Sequence, residues 1–237
     1  MNTTSHQFEA QAASYASFID EDPTRGLHHQ TITQKINDLR QSINNPIVLD
    51  IGCGNGKLAR MLAEQTGARV SGFDISAKLI EIAQQQEWHS PLGIQYAVAD
   101  QLSFRTTTKC DAAVSVMVLP YAPDITALQQ FFACAHQNLK PGTEFHSVIF
   151  NPEFTAFDQQ IGNRIFDQIA DSKVRVNFLD PKTSETKLQS TLTQFSRSQY
   201  ELAAKSAGFN QITWQTISTA TRGAVGAVLP YALVTAA

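Results

Sequence analysis

The chain has 237 residues, of which 43% are hydrophobic and only 16% charged. A folded monomer of that length buries roughly 70% of the surface its unfolded chain exposes, so one self-sufficient core is expected and disorder is not. With 18 Lys plus Arg against 21 Asp plus Glu the net charge is −3, so there is no whole-molecule basic field to hold a phosphate backbone, and nucleic acid is not an expected partner.

The three cysteines, Cys53, Cys110 and Cys134, are an odd number without Cys-x-x-Cys spacing. They fit neither a disulfide framework nor a zinc knuckle and point to a reducing, cytoplasmic setting. The N-terminus lacks the charged-then-apolar signal pattern. The longest uncharged stretch, 223–237, falls short of the roughly 20 residues a spanning helix needs and contains Pro230, so no membrane association is expected.

Along the chain, residues 1–45 read as a helical extension. Phe8, Ala12, Tyr15 and Ile19 recur at helical spacing, as do Ile32, Ile36, Leu39 and Ile43, and Asp22-Pro23 has the form of a helix start. Asn44-Asn45-Pro46 is a turn signal. The near-continuous apolar run 47–51 then reads as a strand buried on both faces. Helices over 58–66, closed by Gly67, and from Ser76 to about 86 alternate with strands at 69–74, 94–100 and 111–119. Asp124 caps a further helix, and a Lys140-Pro141-Gly142 turn leads into a fifth strand at 143–150. Such alternation predicts an α/β fold with a mostly parallel, doubly wound sheet.

The alternation stops at 151–197. An aromatic segment of helical texture (Phe154, Phe157, Ile161, Phe166, Ile169) precedes two β-leaning runs at 174–179 and 187–195. The whole reads as a cap inserted after the fifth strand. Its aromatics suit either an apolar lid or burial against the core. Ser198-x-x-Glu201 has the capping-box form and opens a helix ending at Gly208; two β-leaning runs, 209–217 and 224–235, close the chain. The domain expected is therefore single, with an extension (1–45), a ligand-binding core (46–150), a cap (151–197) and a last helix with terminal strands (198–237).

Chemistry concentrates in Leu49-Asp50-Ile51-Gly52-Cys53-Gly54-Asn55-Gly56, a strand emptying into a glycine loop ahead of a helix. Glycines let a ligand approach the backbone, and the helix N-terminus behind them offers free N–H groups. Asp74 closes the second strand about twenty residues on, where an acid takes the hydroxyls of a ribose. Asp100 closes the third. The three acids thus fall at successive strand ends, the edge where ligands bind in open α/β sheets.

The strings LDIGCGNG, GFDIS, VAD, CDAAVSVMVL and LKPG together resemble the class I S-adenosylmethionine-dependent methyltransferases, closely over 47–150. The resemblance implies a Rossmann-like seven-stranded sheet with its last strand pair reversed. It implies S-adenosylmethionine as cofactor and S-adenosylhomocysteine as product. Gly52, Gly54 and Gly56 would pack on the methionine part and ribose, with Asp50 orienting the loop. Asp74 would hold the ribose hydroxyls and Ile75 the adenine, whose amino group Asp100 and the Gln101 backbone would read; Cys53 and Val116 join this cofactor set. The extension is similar to toxoflavin-synthase-type enzymes, in which a Tyr and an Arg fold over the cofactor; Tyr15 and Arg25 are the matching positions.

Tyr121, just beyond the fourth strand, is the candidate substrate-side residue. His146 is a candidate base if it faces the cleft, and otherwise a hydrogen-bonded strand histidine. Val118-Leu119-Pro120-Tyr121 lacks the Asn or Asp and the second Pro of amino-methylating nucleic-acid enzymes, so that activity is not implied. The His28-His29 pair has no metal-ligand spacing and reads as a solvated helix face; no metal is expected. The expected function is methyl transfer to a small, partly apolar metabolite by a monomer or homodimer. Two alternatives remain: a nicotinamide-dependent oxidoreductase, although Gly-x-Gly-x-Gly departs from the dinucleotide fingerprint, and a catalytically silent S-adenosylmethionine-binding protein.

Overall fold

The computed structural model describes residues 23–180, 182–217 and 230–237. Tyr15, the helix expected over 8–19, the Asp22 cap and the start of the strand expected at 224 lie outside them, as does the side chain of Arg25. Helix α1 spans Pro23–Arg40. Its buried residues, His28, His29, Ile32, Thr33 and Ile36, recur every three to four positions and form one stripe against the sheet. The histidine pair is thus buried, not solvated.

The core then follows as β1 (Ile47–Ile51), α2 (Lys57–Thr66), β2 (Arg69–Asp74), α3 (Ala77–His89), β3 (Gln95–Val98), β4 (Cys110–Val116), α4 (Ile125–Asn138) and β5 (Leu139–Phe150). Strand β5 starts four residues earlier than expected, because Cys110 pairs with Leu139 across an irregularity before the regular register resumes at Ala112 and Glu144. After the cap come α5 (Arg197–Ala207), β10 (Ile212–Thr216) and β11 (Tyr231–Ala236).

Seven strands order as β10-β11-β5-β4-β1-β2-β3. Strands β1 to β5 pair in parallel, and β11 inserts antiparallel between β5 and β10, which is the reversed pair at the sheet's end. Both parities of the central strands are buried. Val48, Val114, Val148 and Leu233 face one core with α1, α2 and the cap, while Leu49, Ala113, Ile149 and Val234 face another with α4 and α5. Two-sided burial is why the central strands read as continuous apolar runs.

The cap is a second, four-stranded antiparallel sheet of β6 (Gln160–Ile161), β7 (Arg164–Ala170), β8 (Lys173–Leu179) and β9 (Thr186–Thr193). Its first segment is not helical as expected. Ile161 pairs with Arg164 across Gly162-Asn163, and Gly162 takes φ 62°, the left-handed conformation two-residue hairpins need. From there Arg164 and Phe166 turn inward and Ile165 and Asp167 are half-buried, a strand's period of two. Three bonds join this sheet to the loop after β4. The Tyr121 hydroxyl meets Ser190 Oγ at 3.0 Å, Thr193 Oγ1 donates to the Ala122 carbonyl at 2.7 Å, and Lys173 Nζ donates to the Pro123 carbonyl at 2.9 Å.

Candidate functional site

Chain order leaves β1 in one direction toward β2 and in the other toward β4, so a crevice opens at the carboxyl ends of β1 and β4. The cleft there encloses about 1130 Å³, counted out to its mouth. Its floor is the loop after β1. Gly52 adopts φ +68°, and a Cβ on it would stand 2.5 Å from a Val118 methyl. Only glycine lets that loop lie against the turn after β4. Over Gly54 there is open space within 4 Å of where a Cβ would be, so its backbone faces the cleft.

Gly56 has a different task. It is the left-handed N-cap of α2, and a Cβ there would meet the Tyr96 hydroxyl at 2.5 Å. It closes α2 onto β3, at the end of the glycine loop whose Gly52 and Gly54 line the cleft. The Cys53 N–H donates to the Phe73 carbonyl at 3.0 Å, and its side chain stacks over Gly72, where a Cβ would come within 2.8 Å. Burial, then the carboxylates of Asp50 and Asp74, push its thiol well above the ordinary value, so Cys53 packs the loop as a neutral group.

Asp74 clasps the loop from β2. One carboxylate oxygen accepts from the Gly54 N–H at 2.9 Å and the other from the Ser76 N–H at 2.9 Å. A carboxylate accepts about four hydrogen bonds, so this clasp is compatible with further donors from the cleft side. Asp50 lies beneath, 1% exposed. Its Oδ2 is buried without a hydrogen-bond partner among the described residues. Burial, and secondarily the Asp74 charge, push its carboxyl up to about 7.

On the far side, Asp100 Oδ1 accepts from the Leu102 N–H, the Ser103 N–H and the Ser103 hydroxyl at 3.0, 2.8 and 2.7 Å. The Ser103 hydroxyl above all holds this carboxyl below its ordinary value. All three bonds fall on one oxygen. Ile75 is 46% exposed and with Ala99 gives an apolar wall beside it; Gln101 and Val116 also line the cleft.

Tyr121 sits on a 3-10 turn, Leu119–Tyr121, and lines the cleft. His146 does not. It is buried in β5 between β4 and β11, with Nδ1 2.9 Å from Thr235 Oγ1, and burial pushes its pKa down to about 4. It is a neutral, hydrogen-bonded strand histidine and not a base in the cleft. His29 and Met117 are among the lining residues that were not expected from the sequence. His29 is reached through the buried stripe of α1, a helical spacing visible only when histidines count as core. Met117 at φ 56° turns the chain out of β4, and its N–H donates to the Val148 carbonyl at 2.8 Å. No local signal marks it.

Residues 48–142 match the family described as a methyltransferase domain. This segment resembles a methyltransferase domain. The ubiquinone biosynthesis O-methyltransferase of Xylella fastidiosa is 33% identical over 120 residues, covering 50% of this chain and 47% of that protein. The chain spans about half the length of the curated relatives it matches. Whole-chain likeness lies in the fold. An S-adenosylmethionine-dependent methyltransferase from Clostridium acetobutylicum superposes with TM-score 0.68 at 15% identity, over 94% of this chain and 97% of that one. The 1,6-didemethyltoxoflavin-N1-methyltransferase of Burkholderia thailandensis, solved with bound 1,6-didemethyltoxoflavin and S-adenosylhomocysteine, gives TM-score 0.64 at 14% identity, over 98% and 86%. Apart from His29, the residues that line the cleft all fall within the matched segment, whereas the cap sheet lies beyond it.

Proposed function

We propose that the protein is an S-adenosylmethionine-dependent methyltransferase acting on a small, partly apolar molecule. One observation carries this reading: Asp74, the open backbone at Gly54 and the apolar Ile75 and Ala99 wall converge in a single cleft at the β1/β4 switch point. These residues fit the cofactor. Asp74 takes the ribose hydroxyls, Ile75 packs on the adenine, and Asp100 with the Gln101 backbone reads its amino group. Gly52, Cys53, Gly54 and Val116 bound the space for the methionine part, above the unpartnered Asp50 oxygen. Tyr15 and Arg25 are proposed to fold over it from the extension.

When bound, the cofactor supplies a methyl group already activated on a sulfonium. The chain's contribution is then to hold an acceptor aligned with it, and such positioning is worth about 7 to 11 kcal/mol of a barrier. Tyr121 does this from the turn after β4, braced by Ser190 of the cap. The cap sheet packs beside Tyr121 on the turn after β4, which suits a small acceptor and not a polymer. Among the described residues no helix is long and apolar enough to cross a membrane. The three cysteines are free and buried, in keeping with the reducing, cytoplasmic setting proposed for it, where it would act as a monomer or homodimer.

Calorimetric titration with S-adenosylhomocysteine tests the reading. One site per chain is expected, and the absence of heat at millimolar ligand would falsify it.

A further inference from the structure

The acids of the cleft follow the order of the strands that carry them. Strands β3, β2, β1 and β4 are successive neighbours, so Asp100, Asp74, Asp50 and then the Tyr121 turn succeed one another along the cleft. A cofactor laid with its adenine at Asp100 and its ribose at Asp74 therefore brings its methionine part over the end of β1. Asp50 is the acid that this end meets.

Asp74 has a backbone N–H on each oxygen, and Asp100 has two on one. Asp50 differs, because its Oδ2 is buried and accepts no hydrogen bond among the described residues. Ionising it there is costly, since burial strips its water and Asp74 adds a second negative charge. In the empty cleft Asp50 accordingly keeps its proton up to about pH 7. Cys53 of the glycine loop and Tyr96 of β3 lie within reach of its charge and are held neutral by burial. His29 of α1, Lys57 of α2 and Asp100 also line the cleft. The methionine part carries an α-ammonium. Set against Oδ2, that cation favours the carboxylate and makes the buried acid one half of an ion pair.

We propose that Asp50 receives the α-ammonium of the cofactor on Oδ2 and, in doing so, gives up its proton to water. Cofactor affinity then rises with pH wherever the empty chain holds that proton and the complex does not. This rests on the methyltransferase reading, and its test separates the two. S-adenosylhomocysteine is titrated into the full chain by calorimetry in phosphate and in bis-tris, whose different heats of ionisation report the protons released. At pH 6 about 0.5 proton or more should leave per ligand bound, falling away above pH 7, and affinity should rise roughly fivefold or more from pH 5.5 to pH 7. 5′-Methylthioadenosine, which keeps the adenosine and lacks the amino-acid end, should release none. Asp50→Asn should release none with S-adenosylhomocysteine and hold its affinity within about twofold over the same range. A wild-type readout keeps the test decisive even if that variant fails to fold: the infrared carbonyl band of a protonated carboxyl should vanish when S-adenosylhomocysteine is added at pH 6. No proton release, equal release with 5′-methylthioadenosine, release that survives in Asp50→Asn and so comes from another group such as His29, or an unchanged infrared band overturns the proposal. Failure of the wild type to take up S-adenosylhomocysteine overturns the methyltransferase reading instead.

Discussion

Asp74 places one oxygen on the Gly54 N–H and the other on the Ser76 N–H, so the side chain proposed to hold the ribose also fixes the loop that would lie beneath the cofactor. Replacing it removes ligand bonds and loosens the loop together. Hydrogen bonds to a charged group are worth about 1.5 to 3 kcal/mol each, and Asp74→Ala is expected to weaken S-adenosylhomocysteine at least tenfold by titration. Unchanged affinity would show that the ribose is held elsewhere. Asp50, Asp74 and Asp100 are legible in the amino-acid sequence alone, because an acid that ends an apolar strand has few places to be except the ligand edge. Gly56 cannot be told there from Gly52 and Gly54. Its contact is with Tyr96, forty residues away, and only the packing of α2 on β3 reveals it. His146 illustrates the same limit: its partner Thr235 is on the last strand.

Helix α5 shows how an element's start is decided by what packs on it. Ser196-x-x-Gln199 and Ser198-x-x-Glu201 both have capping form, and the structure uses the first, with the Gln199 N–H on Ser196 Oγ at 3.3 Å and the Ser196 N–H on Gln199 Oε1 at 2.8 Å. The choice follows from Phe195, buried and edge-on to Tyr200 at 5.8 Å, a hydrophobic staple that fixes the chain's entry. Ser196→Ala should therefore cost about 1 kcal/mol in urea unfolding, and Ser198→Ala a fraction of that, with S-adenosylhomocysteine affinity unchanged in both. Equal losses would mean the cap is not at Ser196. In the cap sheet, Phe154, Phe157 and Ile161 fit a helix by spacing, yet Gly162-Asn163 turns the chain into a hairpin and Arg164, Phe166 alternate with Ile165, Asp167. A charged residue on the buried parity, Arg164, hid that alternation. The α/β core needed no such change of element type, because its central strands β1 and β4 are buried on both faces and read as continuous apolar runs.

At the scale of the whole molecule, two buried titratable groups make opposite demands on pH. Asp50, at the end of β1, keeps its proton in the folded chain up to about pH 7, whereas in the unfolded chain it ionises near pH 4. Between those values the folded chain holds the extra proton, so this contribution to stability falls as pH rises. His146 lies between Thr235 of β11 and Glu144 of its own strand, with Lys35 and Asp38 of α1 also acting on it. It stays neutral in the folded chain down to about pH 4 and is protonated in the unfolded chain below about 6.5. In that window the unfolded chain holds the extra proton, and stability rises with pH. Across the overlap the two slopes largely cancel, so the wild-type profile conceals both. Substitution uncovers them. Relative to wild type, Asp50→Asn should be more stabilising at pH 7.5 than at pH 4.5, and His146→Gln more stabilising at pH 4.5 than at pH 7.5, each difference being on the order of 2 kcal/mol in urea unfolding. Comparing the same variant at two pH values removes the constant cost of any lost contact, including the Thr235 bond. A difference of the opposite sign for Asp50→Asn would mean that the carboxyl is ionised in the folded chain at acid pH, and that Asp50 meets the cleft as a charge and not as a neutral acid.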